Sequence, residues 1–467
     1  MLGIDPARMA GAGAIALGYA AFCLRTWQRH RPPPLAGAAL ARDTLLITFA
    51  SQNGFGRELA EQAGAQLTAA GLAVHVCPLD ALNVELLSTT RKALFIASTC
   101  GEGDAPDNAG GFADLLPDRP ATLKGLRYGL LALGDQSYAH YCGFGRRLDA
   151  WLQASGAREL FPRLEVDRAN AQAVASFHHR LASLAGVSEL PGLSIPALGH
   201  WRIRRQQHLN PGSAGEALWR IELAAVNGAD ADASPVTLPD WQAGDLLELH
   251  PPAAAEPADS EQAPRLYSIA SLPSAGVVQL LMRQVRHDDG QLGRMSALLA
   301  ADADVGAGAG AGLCLRGRIR PHPNFQLGSN ADRPLILIGS GSGLAGLLAH
   351  LRQRASAGDG RNWLVYGERN RHFDHHHQAE IAALAAQDLL VRHDLAFSRD
   401  QPGQYVQDCL QAAAATVRDW VDGGAAIYVC GSAITMGPAV HACLADILGA
   451  DTVAELARQG RYRRDLF

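Results

Sequence analysis

Apolar and polar positions fall into successive rhythms along the chain. From Thr44 the apolar run Leu45-Leu46-Ile47-Thr48-Phe49 is too short for a core helix and reads as a buried strand. A Ser/Gly loop then leads into a helix-period segment over residues 57–70. Short apolar runs recur at 73–77, 93–97 and 130–133, separated by helical or loop sequence, and a helix over 171–184 closes the unit. This alternation predicts an open parallel sheet covered by helices. Further on, short strands at 219–225, 246–250, 266–270, 277–285 and 313–318 follow one another with few helices between them, the pattern of a small antiparallel barrel. From Pro334 the α/β alternation returns, with strands at 335–338, 363–366, 389–394 and 427–430. The expected order is an N-terminal hydrophobic helix at 9–27, a linker at 28–42, a doubly wound α/β domain at 43–186, a linker at 187–200, a β-barrel at 201–330 and a second α/β domain at 331–467.

Charge and composition narrow the classes. At 467 residues the chain can bury two or three separate cores. A net charge of −5 gives no electrostatic case for nucleic acid. The eight cysteines include no C-x-x-C pair, which points to a reducing compartment and away from a zinc module. The tract containing His372, His375, His376 and His377 has no accompanying ligands at metal spacing, so no metal is expected. Residues 9–24 carry no charge, with Arg8 before them and Arg25, Arg29 and Arg31 after. Sixteen helical residues span about 24 Å, short of a ~30 Å hydrocarbon core, but Thr26 and Trp27 extend the segment and arginines can snorkel. A cleaved leader ending near Ala36-Gly37-Ala38 and a surface helix are the competing readings. The arginines lie on the wrong side for a leader, so the segment reads as a single-pass inner-membrane anchor with the folded domains in the cytoplasm. A soluble cytoplasmic protein is the alternative.

Candidate chemistry sits in loops at strand ends, where open sheets bind ligands. In the first α/β unit these are Ser51-Gln52-Asn53-Gly54-Phe55-Gly56, then Ser98-Thr99-Cys100-Gly101-Glu102-Gly103-Asp104, then Leu133-Gly134-Asp135 followed by Tyr138, Tyr141 and Cys142. Small residues ahead of a helix let backbone N–H groups converge on an anion. In the barrel, Arg265-Leu266-Tyr267-Ser268 offers a guanidinium for a pyrophosphate and, two residues on along the same strand face, a ring that can lie flat on a flavin. Gly293-Arg294-Met295-Ser296 opens a helix. In the last unit Gly341 to Gly346 satisfies G-x-G-x-x-G, and a dinucleotide reading would make Glu368 the ribose ligand and predict NAD.

Together the three loops of the first unit resemble the flavodoxin-like FMN domain of diflavin reductases. The Arg265–Ser268 motif, with Trp241–Asp245 before it, resembles the FAD motif of the ferredoxin–NADP reductase superfamily. The resemblance implies that Ser51 to Gly56 hold the FMN phosphate and that Tyr138 stacks on the isoalloxazine. Ser98, Thr99, Cys100, Gly101, Gly103, Leu133, Gly134, Asp135, Tyr141 and Cys142 complete the implied site. Asn53 stands where the family usually has threonine, and Cys100 where haemoprotein reductases carry a second stacking tyrosine, which leans towards sulfite reductase flavoproteins. Arg265, Leu266, Tyr267, Ser268 and the Gly293 to Ser296 segment are implied to hold FAD. Only about fifteen residues separate His250 from Arg265, so the helical connecting domain of the larger members is missing. Against the NAD reading, the resemblance assigns NADPH to Gly341, Ser342, Gly343, Ser398, Arg399, Tyr405, Gln407 and Cys430. It makes Ser268, Cys430 and Asp465 the hydride-transfer group, with Phe467 where the family ends in Trp or Tyr. Electrons would pass from NADPH to FAD to FMN to a haem-protein acceptor, steered by an acidic rim of Glu102, Asp104, Asp107 and Asp114. A membrane-tethered ferric or quinone reductase and a flavin redox sensor are the other readings.

Overall fold

The computed structural model describes residues 41–467 except 42, 53, 101–102, 107–108, 114–115, 117–121, 137–139, 168–169, 191–197, 229–233, 253–263, 288–289 and 301–312. The segment expected as an anchor at 9–27 lies outside the described residues. Among the described residues no helix is long and apolar enough to cross a membrane.

The first sheet contains β1 (Leu45–Ala50), β2 (Val74–Pro78), β3 (Lys92–Ser98), β4 (Arg127–Gly134), β5 (Arg158–Glu159) and β6 (Leu164–Asp167). All pairings are parallel, in the order β2-β1-β3-β4-β5 with β6 also on β4. Every residue of β1 is buried, as a strand covered on both faces requires. One face packs Leu46, Phe95 and Trp151, the other Ile47, Leu94 and Phe177. Strand order reverses between β1 and β3, which opens a crevice at their C-terminal ends.

The second sheet is antiparallel: β7 (Gly199–His208), β8 (Leu218–Val226), β9 (Leu246–His250), β10 (Arg265–Ser268), β11 (Val278–Arg283) and β12 (Cys314–Arg320), in the order β10-β9-β12-β7-β8-β11. Its outer strands meet through an Ile269–Leu280 bridge and a 2.8 Å bond from Ala270 N to Gln279 O, closing the expected barrel around Trp201, Ile221, Leu247 and Leu280. Strand β7 begins inside the expected linker and was not foreseen beyond it. Only Trp201, Arg202 and Ile203 of its ten residues are buried, so polar side chains mask the strand pattern. The third sheet is parallel: β13 (Leu335–Ser340), β14 (Asn362–Glu368), β15 (Arg392–Phe397), β16 (Ala426–Gly431) and β17 (Tyr462–Leu466), in the order β15-β14-β13-β16-β17. Strand β15 lies three residues beyond the expected 389–394.

The first α/β unit sits directly on the barrel. Glu58, in the helix Phe55–Ala69, pairs with Arg318 at 3.0 Å and Arg320 at 3.7 Å. Both arginines also pair with Glu248, at 3.4 and 2.8 Å. Asn324 Nδ2 donates to the carbonyls of Ser51 and Gln52, at 2.7 and 3.2 Å. Gly54 makes the approach possible: its φ is +79°, and a Cβ there would lie 2.7 Å from Pro321 O.

Candidate active site

One open cleft of about 1360 Å³ runs across this junction. Its first wall is the crevice at β1, β3 and β4, made by Ser51, Gln52, Phe55, Ser98, Thr99, Cys100, Leu133, Gly134, Asp135, Tyr141 and Cys142. Ser51 Oγ accepts a 3.1 Å bond from Gly56 N, which fixes the first loop against its helix. Gly54, Gly56 and Gly103 do not line the cleft but let its loops converge. A Cβ on Gly56 would lie 3.2 Å from Ala50 O, and one on Gly103 2.9 Å from the His140 side chain. Asn53, Gly101 and Tyr138 are outside the described residues. Thr99 Oγ1 is buried without a hydrogen-bond partner among the described residues. A wall of small polar groups with an unmet hydroxyl suits a polar, planar ligand, so the residues fit FMN. Burial raises the Cys142 thiol to about 11, so it stays protonated.

The opposite wall is made by Glu248, Pro264, Arg265, Leu266, Arg320 and Phe467. Tyr267 lies on β10 beside them, its phenol pushed up by burial. In the helix Arg294–Ala300, Arg294 donates to Pro252 O, yet its Nη1 is buried without a partner among the described residues. An unsatisfied guanidinium nitrogen just past the end of β9 suits a pyrophosphate, so the barrel fits FAD. Gly293, Met295 and Ser296 do not line the cleft. Ser296 Oγ accepts from Val285 N at 3.1 Å and Met295 packs in the barrel core, so both shape the turn that presents Arg294.

Behind this wall three residues distant in sequence come together. Ser268 Oγ donates to Asp465 Oδ2 at 2.6 Å, and Cys430 Sγ lies 3.7 Å from the same oxygen. The register of β16 on β17 places Cys430 opposite Asp465. All three are buried. Burial first, then the Asp465 carboxylate, drives the Cys430 thiol well above its ordinary value, so it is a donor and not a thiolate. Phe467 is 55% exposed at the mouth, held by a 3.0 Å bond from its N to Gly431 O.

A second cleft of about 910 Å³ opens at the ends of β13 and β14. Gly341, Ser398, Tyr405 and Gln407 line it, together with Arg283, Glu368, Arg369 and Gln404. Arg399 is exposed and outside this lining, its backbone N donating to Arg369 O at 2.8 Å. Arg283 and Arg369 were missed by sequence reasoning. Arg369 follows directly on a parallel strand end, a usable signal, whereas Arg283 ends an antiparallel strand without one. Glu368 is fully engaged: Arg283 Nη2 at 2.9 and 3.1 Å, the Tyr366 hydroxyl at 2.9 Å and His376 Nε2 at 3.3 Å. A carboxylate so committed is a poor ribose ligand, which removes the main support for the NAD reading. Asp374 completes a compact cluster with Glu368 and His376. Its oxygens are taken up by Asn210, Ser213 and the Asn370 N–H, so the group is a hydrogen-bonded joint between barrel and third sheet.

The glycines of β13 and its turn serve packing. A Cβ on Gly343 would fall 2.1 Å from Cys430 O, so Ser342 and Gly343 belong to a turn pressed against β16. Gly343→Ala should destabilise the third domain by about 2–3 kcal/mol and lower NADPH binding, measured by thermal unfolding and nucleotide titration.

Comparison with known proteins agrees with this geometry. The flavodoxin family matches residues 47–179, and the oxidoreductase NAD-binding domain family matches 337–442. The chain is 30% identical to the sulfite reductase [NADPH] flavoprotein alpha-component of Thiocapsa roseopersicina, over 87% of this chain and 84% of that one. The chain belongs to the diflavin reductase family. As a diflavin reductase it is an oxidoreductase that uses FMN, FAD and NADPH. The alpha-components of Vibrio cholerae serotype O1 and Neisseria meningitidis serogroup C are 26% and 27% identical, over 92% and 91% of this chain and 88% and 89% of their own. The Vibrio alignment extends over 549 positions, more than the 467 residues here. That relative therefore carries internal sequence that this diflavin reductase lacks.

Proposed function

We propose that this protein draws electrons from NADPH and delivers them singly to a haem-protein acceptor, of which a sulfite reductase haemoprotein is the first choice. The observation that carries the reading is the single cleft with a flavodoxin-type wall facing a barrel wall, backed by Ser268, Asp465 and Cys430. Bound there, the two flavins supply the conversion of a two-electron hydride into single electrons. Ser268 presents its hydroxyl towards the flavin, oriented by Asp465, and Cys430 bounds the nicotinamide side. Phe467 covers the mouth and must swing aside for nicotinamide. Protein stripped of FMN should lose cytochrome c reduction and keep ferricyanide reduction. Full cytochrome c turnover without FMN overturns the reading, and turnover of ferric chelates in that state would favour a ferric reductase.

NADPH selectivity rests in this reading on Ser398, Arg399 and Tyr405. Arg399→Glu should raise the KM for NADPH by more than about tenfold and leave that for NADH little changed, because a guanidinium pairs with the 2′-phosphate dianion. Equal effects on both nucleotides would move the assignment to Arg369, which lines the cleft. Asp104 is exposed on the second loop of the FMN wall and belongs to the acidic rim that would steer a basic partner. Acceptor reduction should then fall as salt rises, and insensitivity to ionic strength removes the rim from the account. Residues 9–27 are read as an uncleaved anchor at the inner membrane, with the domains on its cytoplasmic side. Release of intact protein by carbonate washing overturns that part.

A further inference from the structure

His322 is fully buried, and neither ring nitrogen has a hydrogen-bond partner among the described residues. Its Nδ1 lies 4.0 Å from Asp465 Oδ1, the carboxylate oxygen turned away from Ser268 and Cys430. That separation is too long for a direct bond, but inside a low-dielectric core it is short enough for strong electrostatic contact. The ring cannot drift. Pro321 and Pro323 flank it, its N donates to Asp245 Oδ1 at 2.8 Å, and its carbonyl accepts from the N–H groups of Phe325 and Gln326. Phe325 stacks on it, ring centres 6.0 Å apart.

We propose that His322 is a positioning residue for the hydride site: its Nδ1 faces Asp465 with a proton and holds the carboxylate so that Oδ2 stays on Ser268 and Cys430. This rests on the assignment of Ser268, Asp465 and Cys430 to hydride transfer. The titratable groups around the ring are Asp465 on β17 and His350 on the helix Leu344–Ser356, which Arg463 and Arg354 also influence, while Asp245 holds the His322 backbone N–H. Burial lowers His350 to about 3, so it remains neutral and does not compete for the proton. A carboxylate facing one nitrogen of a buried imidazole favours the tautomer with the proton on that nitrogen. A carboxylate turned out of place would lose the Ser268 hydroxyl, so the His322 ring serves to keep that acid aligned.

The test uses the full chain loaded with both flavins. His322→Phe keeps an aromatic ring, somewhat larger than imidazole, and removes the nitrogens. It should slow reduction of FAD by NADPH about tenfold with the KM for NADPH and the FAD content unchanged. His322→Asn, which returns an N–H near the Nδ1 position, should recover most of the rate. In an Asp465→Asn background, His322→Phe should cost nothing further. Independently of turnover, nitrogen NMR of the wild-type ring should show a proton on Nδ1 that moves or is lost in Asp465→Asn. Equal rates in wild type and His322→Phe, or a ring unresponsive to Asp465→Asn, overturn the proposal. Should His322→Phe fail to fold, the NMR comparison and His322→Asn decide it. If Asp465→Asn itself leaves hydride transfer intact, the parent assignment has failed instead.

Discussion

Replacing Asp465 with asparagine should slow reduction of FAD by NADPH by about 10²–10³-fold, the loss expected when an oriented group at a reacting centre is removed. Asp465 Oδ2 is the common acceptor for the Ser268 hydroxyl and the Cys430 thiol. An amide of the same shape can present a donor to both, which turns the hydroxyl away and leaves a buried thiol unmatched. Loss of one buried acceptor costs about 1–3 kcal/mol of stability, so the flavin content and unfolding midpoint are measured alongside. The discriminating observation is rapid-mixing absorbance of the flavin after NADPH addition. A rate within about threefold of wild type, in protein that retains FAD, would remove Asp465 from the hydride site. KM for NADPH should change little, because Asp465 is buried behind the wall and outside the second cleft.

The contrast between what was legible in the sequence and what was not follows from sequence distance. Parallel strands such as β1 and β13 are buried along nearly their whole length, so they appear as continuous apolar runs. Strand β17 escaped notice because Tyr-Arg-Arg-Asp-Leu buries only Tyr462 and Asp465, and its strand character comes from pairing with β16. The strand-end loops of the first wall were readable from their small residues, since local backbone demands select those residues locally. The meeting of Ser268 with Asp465 spans 197 positions and was expected only through family resemblance. No local pattern announces Arg283 on Glu368, 85 positions apart, or Arg318 on Glu58, 260 apart. Charged residues are frequent on any surface, and only the assembled fold decides which of them meet.

Reversing the charge of Glu58 should uncouple the two walls of the cleft. Arg318 and Arg320 are each 9% exposed and share two carboxylates, Glu58 and Glu248. Breaking a fully buried pair costs about 3–5 kcal/mol. Glu58 is 26% exposed, so solvent screening reduces that to about 1–2 kcal/mol, before the repulsion of a third cation is added. At about 1.4 kcal/mol per factor of ten, Glu58→Lys should lower the docking equilibrium constant by about five- to thirtyfold. Cytochrome c reduction, which needs both walls, should fall accordingly, while ferricyanide reduction at the barrel wall holds steady. Equal loss in both assays would mean damage to the barrel. Exchanging the charges, Glu58→Arg with Arg318→Glu, should restore part of the coupling, which a mere loss of helix stability would not permit. Acid should weaken the barrel beside this joint in a defined direction. Burial opposes the charge on Glu248, but His250, Arg320 and Arg318 outweigh it and hold its carboxyl near 2. Its contribution is complete above the ordinary value of 4.5 and is lost as pH falls from there towards about 2. Acid unfolding followed by fluorescence should therefore show the barrel losing stability over that interval, because Glu248 on β9 and Arg318 and Arg320 on β12 all belong to it.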